Sequence, residues 1–431
     1  MAGLNRAATP MRGETGLTRP PYNRRLEVQI MKLLKSIVLI ALFTLIAPGV
    51  ILADDADAKK RHPSYNLMGR DTPATSPLNP NFVVAEEARL SESGFWRSAF
   101  IPESLVGLTV ADIDGDGQNE VVYASSRNVY VTRFSGGTLH QLAQYSLPPT
   151  DSIVSLDALD LTGDGRMEII ISAQDDAKTA ASQILSFTGS DIVPLATKIT
   201  WYLRVVGAPD GRFLAGQKPG TTRNEFFTGN VMRMSFDGRK VTSKSRVGLP
   251  KFVNLFNFTL ARLGSGGTQM VAAVKFPSEH IFLFEGGHQV WESREEYGGT
   301  MTYLDSPNAT DDRSAREFLP SRILIADIDG DGQNELILAK NDRGGIPFMS
   351  KQRGFTSGAM QAFKYTNLSL TPFFRSRTMP GPGVDYALAD FNNNGTLDLV
   401  VAVVTEQKSG LMKDGRSVIV AYEIGVPKEP K

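Results

Sequence analysis

The stretch VADIDGDGQNEVVYA (110–124) is an apolar strand end, a nine-residue loop of acids and glycines, and a second apolar strand. It superposes without gaps on ALDLTGDGRMEIIIS (158–172), IADIDGDGQNELILA (325–339) and LADFNNNGTLDLVVA (388–402). A fifth segment, LARLGSGGTQMVAAV (260–274), keeps the apolar frame and the glycines but has no acid, and a weaker sixth lies at VVGAPDGRFLAG (205–216). Self-similarity at a spacing of tens of residues marks an array of supersecondary units, each unable to bury its apolar face alone.

Working outward from each loop, the residue before it falls at Ala111, Leu159, near Ala208, and at Ala261, Ala326 and Ala389. After the first loop the pattern runs strand (120–124), turn, strand (128–134), Gly136-Gly137, strand (139–145). With the strand that leads into the loop, each repeat has four short antiparallel strands, the unit of a propeller blade. The expected fold is all-β: a β-propeller of six four-stranded antiparallel blades. Insertions at about 294–320 and 341–357 leave seven as the alternative count.

Ring closure is also visible. Phe95-Trp96-Arg97-Ser98 precedes Ala111 by 16 residues, and Phe373-Phe374-Arg375-Ser376 precedes Ala389 by the same 16. The second tetrad ends the fifth repeat as its outermost strand, yet no repeat precedes the first. The last repeat meanwhile runs out of chain after strands near 397–403 and 417–423. The amino-terminal strand is therefore expected to complete the last blade as a clasp and remove its free edge.

The loops carry oxygen ligands at alternate positions. Asp112, Asp114, Asp116 and Glu120 occupy the first loop; Asp327, Asp329, Asp331 and Glu335 repeat them. The loop of the second repeat has Asp160, Thr162, Asp164 and Glu168, and that of the last has Asp390, Asn392, Asn394 and Asp398. Side-chain oxygens at positions 1, 3, 5 and 9, with a backbone carbonyl at 7, suit a hard cation of six to seven ligands, hence Ca²⁺ rather than Mg²⁺. An Asp-Gly turn without metal is the plain alternative. Against it, four carboxylates crowded in one loop repel by about 1 kcal/mol or more per pair even near water. On charge count alone, the loops with three and two acids should bind more weakly than those with four.

These loops resemble the calcium-binding repeats of the FG-GAP and VCBS families, the blades of integrin-α-like propellers, over about residues 88–424. The resemblance implies that each calcium staples the hairpin of its blade. The FG-GAP tripeptides themselves are mostly missing, Gly207-Ala208-Pro209 being a lone echo.

The rest of the chain bounds its setting. Residues 31–53, MKLLKSIVLIALFTLIAPGVILA, have the charged head, apolar run and small-residue end of a secretory signal peptide. Cleavage after Ala53 is expected; retention as a single-span anchor is the alternative. Residues 1–30 read as a mis-assigned extension before a start at Met31, 54–81 as a Pro-rich leader, 82–424 as the propeller and 425–431 as a tail. The protein is thus expected to be exported, periplasmic or extracellular, touching a membrane only if the signal segment is kept. The 431 residues include 46 Lys/Arg and 46 Asp/Glu. Seven of the bases and two of the acids precede residue 54, so the propeller is acidic and offers no basic field for nucleic acid. Cysteine is absent, excluding disulfides and thiolate chemistry.

No catalytic motif stands out. His62, His140, His280 and His288 form no H-E-x-x-H pair, and there is no G-x-S-x-G elbow or phosphate loop. The expected function is a binding or scaffolding module whose partner is a protein or glycan. A propeller enzyme acting on polysaccharide at the central channel is the alternative, and a passive piece of an envelope assembly a third reading.

Overall fold

The computed structural model describes residues 95–222, 225–264, 267–307, 316–344, 353–406 and 415–427. The proposed extension, signal segment and leader all lie outside them. The described residues form six four-stranded antiparallel sheets and one two-stranded hairpin.

Blade 1 comprises β2 (Leu105–Ala111), β3 (Glu120–Ser125), β4 (Asn128–Ser135) and β5 (Thr138–Ser146). Blade 2 follows with β6 (Ser152–Leu159), β7 (Glu168–Gln174), β8 (Ser182–Phe187) and β9 (Ile192–Ile199). Blade 3 is β10 (Tyr202–Val206), β11 (Phe213–Pro219), β12 (Phe227–Phe236) and β13 (Val241–Arg246). Blade 4 is β14 (Phe258–Arg262), β15 (Gln269–Lys275), β16 (His280–Glu285) and β17 (His288–Glu292). The hairpin of β18 (Tyr303–Asp305) and β19 (Arg316–Phe318) then intervenes before blade 5. That blade holds β20 (Leu324–Ala326), β21 (Glu335–Arg343), β22 (Phe355–Thr366) and β23 (Ser369–Arg375). Blade 6 contains β24 (Gly383–Ala389), β25 (Thr396–Glu406) and β26 (Arg416–Pro427), completed by β1 (Phe95–Arg97). The insertion at 294–320 thus supplies a hairpin, not a seventh blade.

Burial explains the strand order. The second strand of blade 1 is buried along its whole length, as is that of blade 2, because sheets pack on both of its faces. Their β-branched runs, EVVYAS and EIIISAQ, fit such a position. Outermost strands such as β5 and β17 are mostly exposed or half-buried.

Closure follows the expected register: Phe95 pairs with Tyr422, Trp96 with Ala421 and Arg97 with Val420. Ser98 then gives and receives a bond at one residue. Its N–H donates to Ile419 O (2.8 Å) and its Oγ accepts from Ile419 N (2.9 Å). Ser376, in the matching tetrad, makes the same pair of bonds with Met360, and Ser293 after β17 makes it with Ile281. The clasp is therefore built like any other outermost strand. Trp96 anchors it, packed on Phe134 of blade 1 and Phe391 of blade 6 at centroid distances of 5.5 and 5.2 Å. Its Nε1 donates to Gly137 O (2.8 Å).

Candidate functional site

The four acidic loops share one backbone arrangement. The first Asp accepts from two loop amides: Asp112 from Gly115 N (2.8 Å) and Gly117 N (2.9 Å), and Asp327 from Gly330 N and Gly332 N (2.8 Å each). Asp160 receives Gly163 N and Gly165 N, and Asp390 receives Asn394 N and Gly395 N. The ninth residue reaches back to the amide after the first Asp: Glu120 to Ile113, Glu168 to Leu161, Glu335 to Ile328 and Asp398 to Phe391. The turn needs two left-handed residues. Gly115 and Gly117 take φ of 77° and 89°, while in the last loop Asn393 (58°) and Gly395 (90°) serve. Asn is among the few residues with a side chain that tolerate this region.

These bonds draw carboxylates together. Oxygens of Asp112, Asp114 and Glu120, and those of Asp327, Asp329 and Glu335, lie within 4.8 Å of one another. Among the described residues, no other set of three acids or histidines does so. Glu120 and Glu335 are wholly buried. Burial pushes the Glu335 carboxyl up to about 7 against the lowering bond from Ile328 N, with the Asp329 charge adding to the rise. Glu335 Oε1 is buried without any hydrogen-bond partner. A buried carboxylate oxygen left bare is costly unless a cation meets it.

The sequence reading missed the residue facing the ninth position on the third strand of each blade. Arg133 faces Glu120, donating to it from Nε (2.6 Å) and pairing with Asp116 (2.8 Å) and Asp114 (3.2 Å). Lys364 stands in the same place in blade 5, paired with Asp329 and Asp331. In blade 2 the register carries Ser186 to Glu168, and in blade 6 Asp398 pairs with Glu423. With that residue counted, blades 1 and 5 have four acids less one base, blade 2 three acids, and blade 6 two acids plus Glu423. With Arg166 inside the blade 2 loop also counted, the net is three negative in blades 1, 5 and 6 and two negative in blade 2. Burial first, then the Asp390 and Glu423 charges, push Asp398 up to about 7. Glu423 thus adds a third carboxylate beside the blade 6 loop, whose own acids number two.

Neighbouring loops are also linked. Asn119 Nδ2 donates to Asp390 O (2.7 Å) of the preceding blade, and Asn334 Nδ2 to Arg262 O (3.2 Å).

A second polar assembly lies at the axis. Arg322, just before β20, binds Asp385 with Nε (2.5 Å) and Nη2 (2.7 Å), and Asp157 with Nη1 (3.0 Å). Its Nη2 also donates to Leu156 O (2.9 Å), while Arg204 Nε holds the other Asp157 oxygen (2.8 Å). Leu108 N donates to Asp385 (2.8 Å), so blades 1, 2, 3, 5 and 6 meet at this hub. Burial pulls the Arg322 pKa down, but the Asp385 and Asp157 charges outweigh it and raise it. At the same frame position blade 1 has Gly107, where a Cβ would lie 2.5 Å from Leu156 Cβ. His140 and His280 stand apart from this hub: His140 lies near Ser135 O and Thr138, and His280 pairs with Glu292. Trp291 Nε1 donates to Ser369, and Lys218 sits over the Trp201 ring.

Residues 112–171 match the FG-GAP-like repeat family. That match and the six-bladed ring fit an integrin-α-like FG-GAP β-propeller. No curated protein matches the chain. Among solved structures, BBS1N in complex with ARL6DN, soaked with lead, is 12% identical and covers 79% of this chain and 99% of its own, at a TM-score of 0.41. A candidate 6-phosphogluconolactonase from Bacteroides fragilis is 13% identical, covering 72% and 82%, at 0.35.

Proposed function

We propose that this chain is an exported, calcium-stapled β-propeller that serves as a binding or scaffolding module for a protein or glycan in the cell envelope or outside the cell. The observation that carries the calcium reading is Glu335 Oε1, buried and bare beside Asp327 and Asp329. The donor set is all oxygen, which fits a hard cation. Asp112, Asp114, Asp116 and Glu120 would hold it in blade 1, Asp327, Asp329, Asp331 and Glu335 in blade 5. Asp160, Thr162, Asp164 and Glu168 would do so in blade 2, and Asp390, Asn392, Asn394 and Asp398 in blade 6. Arg133 and Lys364 then act as resident counter-ions that hold the loops when calcium is scarce. A propeller of FG-GAP type suggests a binding platform, and the signal-like segment at 31–53 supports export.

Calcium bound to the folded loops at about 100 times Kd adds roughly 2.7 kcal/mol per independent site. A chelator should therefore lower the melting temperature, and Ca²⁺ should restore it better than Mg²⁺. An unchanged melt, with no metal found by elemental analysis, would sink the calcium reading. Pull-down from envelope extract with and without calcium tests the binding role.

The carboxylate that the third strand adds in blade 6 makes a further prediction. Glu423→Gln leaves blade 6 one charge short and should reduce the number of calcium ions bound per chain, whereas Ser186→Ala should not. Equal stoichiometry in both variants would refute the role given to the third strand.

A further inference from the structure

Around the ring, the acidic loops belong to blades 5, 6, 1 and 2, an unbroken arc, while the loops of blades 3 and 4 hold a single acid, Asp210, which pairs with Arg233. Arg212 ends the loop of blade 3, and Arg262 is the last residue of β14, leading into the loop of blade 4. Both line an axial cavity of about 670 Å³ that also meets Arg204, Arg322 and Asn334. Four arginines face it and no carboxylate residue does; none of the candidate metal ligands lines it. Its volume lies in the range of small-molecule sites.

The four arginines are not equivalent. Arg204 and Arg322 are paired with Asp157 and Asp385. Arg212 makes one hydrogen bond, to Ala158 O (2.9 Å), and among the described residues no carboxylate lies within ion-pair distance of it or of Arg262. Arg212 is exposed, yet the surrounding protein desolvates its guanidinium and lowers its pKa, with the Asp157 charge acting against the fall. Two arginines outside any ion pair among the described residues line one cavity, with Val110, Val205, Phe256, Phe258 and Leu260 on its walls, and define a ligand with an oxyanion and an apolar body.

We infer that this cavity binds a small organic anion, a carboxylate or phosphate monoester on an apolar body, held by Arg212 and Arg262. The inference stands apart from the calcium loops, so it can hold or fail without them.

Four probes separate the charge from the body: benzoate and phenyl phosphate, against the neutral benzamide and phenol. Titration calorimetry on the full chain should show both or one of the anions binding, with the preferred anion naming the head group, and the neutral probes at least about tenfold weaker. Arg262→Ala, on an exposed side chain, and Arg212→Ala should each weaken the anion by about tenfold or more while benzamide is unaffected. If Arg212→Ala fails to fold, Arg262→Ala decides. Equal binding of benzoate and benzamide, no binding of any probe, or anion affinity unchanged in Arg262→Ala would overturn the assignment.

Discussion

Arg322→Met is expected to lower the melting temperature by roughly 5–10 °C. The guanidinium holds Asp385 through two bonds and Asp157 through a third, with both acids buried and the arginine itself only 12% exposed. Breaking a buried pair by removing one partner costs about 3–5 kcal/mol, because the other charge stays buried and uncompensated. Arg204 still covers one oxygen of Asp157, so most of the loss should fall on Asp385. The double variant Arg322→Met with Asp385→Leu should recover part of the loss, since an apolar pair of similar volume often replaces a buried ion pair without penalty. Leu108 N would lose its acceptor in that variant, which bounds the recovery. A thermal melt on the single and double variants tests this. A single variant within about 0.5 kcal/mol of the parent, the range of ordinary surface substitutions, would show that the hub does not hold the blades together.

The hub also shows where sequence reading stops. The blades were legible because each is a local pattern: apolar strand, acidic loop, β-branched strand, repeated in frame. The clasp was legible because Phe95–Ser98 repeats Phe373–Ser376 at equal distance from its loop. The hub had a visible trace too, a charge in or just before an apolar strand, since Arg322 and Asp385 each stand five residues before the first Asp of a loop. What the sequence could not state is which charges meet. Arg322 reaches Asp157 across 165 positions, and only the closed ring brings the inner strands to one axis. Arg133, Lys364 and Glu423 were hidden for a related reason. They lie on third strands at unequal distances from their loops, because residues between β21 and β22 lengthen blade 5, so no fixed spacing reveals them. The register does, by placing each opposite the ninth loop position. The blade 3 loop was unrecognisable as an acidic loop because it is short, running from Gly207 to Arg212 between β10 and β11.

Deleting residues 54–100 is expected to abolish accumulation of soluble protein, while deleting 54–80 should be tolerated. The longer deletion removes β1 and the bonds that follow it, leaving β26 as an edge. Ile419 would lose both partners on Ser98, leaving Ile101, the first residue retained, as the backbone partner of Ser417 on that edge. Val418, Val420 and Tyr422, now buried, lie along that same strand. A long apolar edge with unpaired amides is a template for another chain, which is why closed rings avoid one. Trp96→Ala is the milder probe. It keeps the strand but removes the ring wedged between Phe134 and Phe391. Fully burying an aromatic side chain is worth about 3–5 kcal/mol on truncation, and Trp96 is half-buried, so about 2–3 kcal/mol should be lost. The two variants separate pairing from packing. If the clasp matters mainly through its backbone bonds, Trp96→Ala melts early but stays monomeric, whereas the deletion aggregates. A soluble, monomeric deletion variant with an unaltered cooperative melt would mean that blade 6 closes without its fourth strand.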